Sequence, residues 1–284
     1  MTAAAPSVGV PLPPRPGRVA RLGRATRYYL PAVLVFIGGI ALWELAVRIF
    51  DVRAFILPAP SAIAAALADN WGPGRWSLAE AALATLFEAV GGLVIGTVVG
   101  VLVAFAVSRW ASARDALLPI AVAANAIPII AIAPIMNNWF GVLNPLSKMM
   151  IAALLVFFPV MINVTRGLTQ VEPSALELMR SYAASEWTIL RKVRLPNALP
   201  YFLTALKVGT TLSLIGAIVG EYFGGASQVI GRIVVQSASA LRFDVTWAAI
   251  LLGAATGIVF YLVVVGLERV LIPWHPSVRG EEPG

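Results

Sequence analysis

Six times along its 284 residues the chain runs through roughly twenty predominantly apolar residues. That is the length a helix needs, at 1.5 Å per residue, to cross about 30 Å of hydrocarbon. In lipid every backbone N–H and C=O must find its partner within the protein, so such runs are read as helices. The spans are expected at Leu30–Phe50, Leu86–Val107, Leu117–Ile135, Lys148–Val164, Leu199–Gly220 and Val245–Leu267. Composition agrees: 59% of the residues are hydrophobic and 12% charged, where a soluble domain carries about a quarter charged. The fold class that follows is an all-α integral membrane protein with about six transmembrane helices. The run at Leu30 is long enough to cross the membrane, which separates it from the short apolar core of a cleaved signal peptide.

Charge then assigns sides. Residues 1–29 hold five prolines and five arginines without a long apolar run, the composition of a disordered basic tail. With that tail in the cytoplasm, the inner segments carry fourteen basic residues. Six lie on outer segments and borders: Arg48, Arg53, Arg75, Lys148, Arg232 and Arg242. The positive-inside bias places both termini in the cytoplasm, with 30–274 as the membrane domain and 275–284 as a short inner tail. The same bias explains the net charge of +7 without nucleic acid. Between the first two spans, "LPAPSAIAAALADNW" is too short to cross and reads as a proline-stopped turn leading into a short interfacial helix.

The largest inner loop, residues 165–198, is where charge concentrates in "ELMRSYAASEWTILRKVRLPNALP". Pro173 and Ser174 can start a helix, and Leu176, Met179 and Ala183 recur at helical spacing on one face. A second arm, Glu186–Val193, brings Trp187 and Leu190 together and ends in Arg191, Lys192 and Arg194. Pro196 and Pro200 are expected to redirect the chain into the fifth span. The pattern is that of a compact amphipathic helical hairpin between the fourth and fifth spans.

This hairpin resembles the cytoplasmic signature of permease subunits of binding-protein-dependent ATP-binding cassette importers. Glu177 takes the first position of that signature, Val193 the aliphatic one, and Leu195–Pro196 close it in register. Ala183 stands where the signature has glycine, and Leu178 and Met179 replace its two alanines. Because alanine tolerates close approach better than positive φ, Ala183 is expected in a helical conformation. "PAPSAI", "IAIAPIMNNWFG", "FFPVMINVTRGL", "VGEYFGG" and "LERVLIPW" extend the likeness from Leu30 to Trp274, and together resemble the nitrate, sulfonate and taurine group. "ELMRSYAAS" and "PIMNNWFG" are similar to members associated with thiamine-pyrimidine precursors or riboflavin. The resemblance implies a bacterial inner-membrane importer, two cytoplasmic ATPase subunits, a second copy of the permease and an extracytoplasmic solute-binding protein. It also implies that Glu177, Met179, Ala183, Ala184, Val193, Leu195 and Pro196 couple to the ATPase.

Other chemistry is excluded or left open. The three lysines follow Ser147, Arg191 and Leu206, so no Gly-Lys-Ser/Thr phosphate loop exists, and the chain is not expected to be its own ATPase or any other enzyme. Cysteine is absent, and the one histidine, His275, follows Trp274 at the membrane border, so neither a metal site nor a cofactor is expected. Gly92, Gly96 and Gly100 form a small-residue face suited to helix packing. Gly209, Ser213, Gly216 and Gly220 form a second, which serves either a solute path or packing. Glu44 and Arg48, four residues apart, suit an ion pair. Glu88 and Glu221 must face protein, water or a passing solute. Asn137 and Asn138 are placed at the outer mouth of the third span, as pathway residues or as a loop cap beside Trp139. Glu221 stands either as part of an outer gate, paired with Arg232 or Arg242 across an irregular 221–244 stretch, or in a static ion pair. The competing class is a self-sufficient secondary transporter or channel, which commonly carries inverted repeats; none is evident here. An intramembrane enzyme lacks any nucleophile–base pair.

Overall fold

The computed structural model describes residues 18–124 and 128–272. The expectations for residues 1–17, for Trp274 and His275 and for the tail 275–284 therefore lie outside the described residues. The chain divides into two compact units, Met1–Arg53 and Ala54–Gly284. The first contains α1 (Arg18–Ile49), whose apolar part Leu30–Ile49 matches the expected first span. The helix reaches back to Arg18, so part of the stretch expected as a loose tail is helical. Near its end Arg48 donates to Glu44 at 2.6 Å, the expected i,i+4 pair.

The regular elements of the second unit are all helices among its described residues. The short helix α2 (Pro60–Asp69) starts on a proline that needs no N–H there, as the sequence suggests, and packs on α11 (Phe243–Leu271). The centre is built from α3 (Leu78–Ser108), α6 (Pro145–Thr169) and α9 (Leu195–Tyr222), each packed on the other two. Small side chains make this possible. A methyl group on Gly96 of α3 would stand 2.5 Å from the Ala153 carbonyl oxygen, and one on Gly100 would stand 3.0 Å from the Phe157 oxygen. The α3 small-residue face is thus a packing face, and Leu93, Val156, Val160 and Ala205 fill the space between the three helices. Outward, α3 exposes Phe87, Val94, Val98 and Leu102, and α11 exposes Ile258, Val259, Leu262 and Val263. A water-facing helix could not be apolar on its exposed side over this length; a lipid-facing one must be.

Among the described residues five helices are long and apolar enough to span a bilayer. The third expected span, Leu117–Ile135, is instead occupied by two shorter helices, α4 (Ala111–Ala124) and α5 (Ile129–Phe140). Pro128 is the N-cap of α5, and a proline there has no N–H for a continuous ladder and disfavours helix in the residue before it. The fifth span also differs. The hairpin consists of α7 (Pro173–Ser181) and α8 (Glu186–Ile189), and α8 runs through a π-turn at Leu190–Arg194 directly into α9, giving 37 continuous helical residues, Glu186–Tyr222. Pro196 and Pro200 therefore do not redirect the chain. The wider turn, in which the Leu195 N–H bonds to the Leu190 carbonyl, makes room just ahead of the Pro196 ring. The stretch 221–244 is likewise not irregular, because α10 (Ile230–Ser239) packs against α9 and α11 within it. Ser237 and Thr246 hydrogen-bond at 2.7 Å, tying the end of α10 to the start of α11.

Candidate functional site

Two places in the second unit depart from the rule that this protein is apolar: the hairpin at one end of the bundle and a buried charge cluster at the other. The hairpin is held at its base by Asn197. Its amide donates to the carbonyls of Gly167 at 2.7 Å and Gln170 at 3.2 Å, satisfying two acceptors at the end of α6 that have no helical partner. Gly167 lets the two helices meet, since a Cβ there would lie 2.7 Å from Ala198 Cα. Nothing in the amphipathic pattern of the loop points to Asn197 or Gly167. Their role arises from contacts about thirty residues apart in the chain.

From this base α7 projects without burying any side chain. Glu177 is exposed, Met179 is half-buried, and the large apolar groups turned outward are Leu178, Tyr182 and Trp187. Val193 and Ala184 are half-buried, while Leu195 and Pro196 are exposed near the start of α9. Ala183 corrects the expectation made for it: its φ is +51°, in the left-handed region. The Ala184 N–H bonds to the Met179 carbonyl and the Ala183 N–H to the Arg180 carbonyl, the paired bonds of a Schellman helix end. This motif needs positive φ at position 183, which is the physical reason for glycine in the signature it resembles. Ser185 then accepts from the Thr188 N–H at 3.3 Å and starts α8.

At the opposite end, Glu88 of α3, Lys148 of α6 and Glu221 of α9 are all buried. Lys148, counted above on the outer border, has no exposed surface. Its ammonium donates to the carbonyls of Val142 and Asn144, while Glu88 Oε2 and Glu221 Oε1 are buried without a hydrogen-bond partner. Glu221 meets neither Arg232 nor Arg242. Its Oε2 accepts from the Gly231 N–H at 2.6 Å, and Arg242 is paired with Asp244 at 2.7 Å. Beside it the Thr85 hydroxyl accepts from the Ile230 N–H at 3.0 Å, so side chains of α3 and α9 together cap the start of α10. Gly231 admits this contact, since a Cβ there would lie 2.7 Å from that of Glu221.

Asn137, on α5, is buried with both amide atoms unpartnered, whereas Asn138 and Trp139 are exposed. Gly209, Ser213 and Gly216 face into the bundle: Cβ atoms on the two glycines would lie 2.9 Å from Leu93 and 2.7 Å from Ala152. Of the two readings open for that stripe, the geometry matches tight packing. The exposed side of α9 carries Thr204, Val208, Thr211 and Ile215, and a groove of about 460 Å3 beside it is lined by Lys207, Thr211 and Tyr261. Lys207 is paired at 2.9 Å with Glu268 of α11.

Residues 96–274 match the family of the binding-protein-dependent transport system inner membrane component. The chain is 29% identical over 248 residues to the riboflavin transport system permease protein RibX of Chloroflexus aurantiacus, covering 87% of this chain and 90% of that one. It is 30% identical to the formylaminopyrimidine transport permease protein ThiX of Halalkalibacterium halodurans, covering 87% and 96%. To the putative aliphatic sulfonates transport permease protein SsuC of Bacillus subtilis it is 29% identical, covering 94% and 93%. An all-helical membrane core and a match across most of its length lead to one conclusion: the chain belongs to the family of binding-protein-dependent transport system inner membrane components and is a permease subunit of an ATP-binding cassette importer.

Proposed function

We propose that two copies of this permease form one solute path, each with its hairpin seated in a cytoplasmic ATPase subunit, and that ATP hydrolysis there drives alternating access. In this reading α4 and α5 together make the remaining span, giving six, and both termini are cytoplasmic. The observation that carries it is the hairpin surface. Leu178 is 57% and Tyr182 77% exposed on an element rich in charge whose first helix buries no side chain. Covering an apolar side chain of that size is worth roughly 1.5–3 kcal/mol, enough for two of them to dominate a docking contact. Glu177, Met179, Ala183 and Ala184 then shape and support the docking element, while Val193, Leu195 and Pro196 set its junction with α9. The Leu178→Asp/Tyr182→Asp double variant is expected to fold and insert normally yet lose the copurifying ATPase. Retention of the ATPase at the wild-type ratio contradicts the docking.

The path is assigned to the exposed side of α9. Thr204, Val208, Thr211 and Ile215 recur at three- and four-residue steps, and the two hydroxyls distinguish this side from the purely aliphatic outer side of α3. A second copy placed against it by a two-fold axis encloses a channel that is partly polar. Glu221 serves the outer end by holding α10, and Asn137 lies beside the same end. The solute is a small molecule brought by a binding protein. The relatives' names offer two classes to test in uptake assays, aliphatic sulfonates and the riboflavin or formylaminopyrimidine heterocycles.

A further inference from the structure

At the hairpin end of the bundle two grooves lie next to one another, with Phe105 lining both. The first, about 420 Å3, lies between α3, α6 and α9 and is lined almost wholly by apolar groups, among them Val98, Val101, Phe105, Leu168 and Phe202. Along α3 it extends from Thr97 to Phe105, about 12 Å of helix axis. One leaflet of a bilayer core is about 15 Å deep, so the groove follows most of a leaflet. The second, about 650 Å3, shares Phe105 with the first and is walled by Arg109, Trp110, Trp187 and Arg194, with Glu186 as the acidic lining residue. It sits where α3 ends and the charged hairpin begins, the depth at which tryptophan and arginine mark the boundary between hydrocarbon and headgroups. Arg109 is exposed, and Arg194 is held by Glu186 only at 3.9 Å.

We infer that this pair of grooves is a binding site for one anionic phospholipid, with an acyl chain laid between α3, α6 and α9 and the phosphate between Arg109 and Arg194. The chemistry is complementary along its whole length. Beside an apolar channel of leaflet depth stand two arginines, whose guanidinium groups bind phosphate oxygens through several N–H donors, and two tryptophans, whose indole N–H groups suit phosphate or ester oxygens. A zwitterionic lipid would fit the apolar part equally well but would bring its own cation to a chamber already positive. The inference requires only that the chain is embedded in a membrane and not that the hairpin docks an ATPase.

The test uses the full chain reconstituted in vesicles of phosphatidylcholine and phosphatidylglycerol, extracted in mild detergent and examined by native mass spectrometry for retained lipid. A surface arginine favours anionic lipid by about five-fold, and the chamber holds one net positive charge. The wild-type chain is therefore expected to retain one phosphatidylglycerol, enriched about five-fold over its share of the vesicle. Arg109→Gln/Arg194→Gln leaves Glu186 alone and should reduce that ratio below the vesicle's own, Glu186→Gln should raise it, and Val98→Trp, which fills the apolar groove and leaves the charges, should lower total retention. Equal retention of both lipids by the wild-type chain overturns the inference, as does enrichment that survives loss of both arginines. If the arginine variant does not fold, an unchanged or reduced ratio in Glu186→Gln overturns it on its own.

Discussion

At position 183 an alanine occupies backbone that glycine adopts without cost. With φ at +51°, it closes α7 through the Ala184-to-Met179 and Ala183-to-Arg180 bonds. Ala183→Gly removes a steric penalty of about 1 kcal/mol, so amide exchange at 182–184 is expected to slow about five-fold. Unchanged or faster exchange in hydrogen–deuterium measurements contradicts the strained helix end. Lys148 is the opposite case, a charged residue with no exposed surface. Lys148→Met leaves two buried carboxyl groups without a buried cation and the Val142 and Asn144 carbonyls without their donor, so it should lower the unfolding midpoint of the solubilised chain. Adding Glu88→Gln should restore part of it, a non-additive response. Simple additivity of the two variants would show that the charges do not interact.

Among the helices, α3, α6 and α9 are brought together by absent side chains more than by large ones. Gly96 stands against the Ala153 carbonyl, while Gly266 on α11 has nothing within 4 Å of where its Cβ would lie. Gly96→Ala is therefore expected to destabilise the bundle by about 1–3 kcal/mol through forced separation of α3 and α6. Gly266→Ala, with no neighbour to displace, should be neutral or slightly stabilising through helix propensity. Thermal unfolding of the pair in one detergent checks this, and equal shifts would refute the packing account. The spans themselves are legible in sequence because each is a local property, a run of apolar residues about twenty long. The division of the third is less so, since Pro119, Pro128 and Pro134 all interrupt that run and only Pro128 separates two helices. The joining of α8 to α9 was hidden for the same reason: a π-turn ahead of Pro196 is decided by how the helix packs, not by the proline alone.

Across the whole molecule, the hairpin is readable in sequence because charge is rare here and its spacing is local. The far-end cluster is not. Glu88, Lys148 and Glu221 are separated by sixty and seventy-three positions and converge only when three helices pack. Their individual burial can be argued from the cost of charge in lipid, but not their meeting, nor the use of Glu221 to hold α10. Glu221 and Thr85 anchor the start of α10 to the central helices, and in the function proposed above the hairpin is the surface that meets the ATPase. In that proposed function, this permease moves nothing uphill alone. This is tested by reconstituting it into vesicles with its binding protein and solute, with and without the ATPase subunit and ATP. Accumulation is expected only when all are present, and to vanish with the Leu178→Asp/Tyr182→Asp variant; solute accumulation by the chain in vesicles lacking the ATPase, driven by an ion gradient, would contradict it.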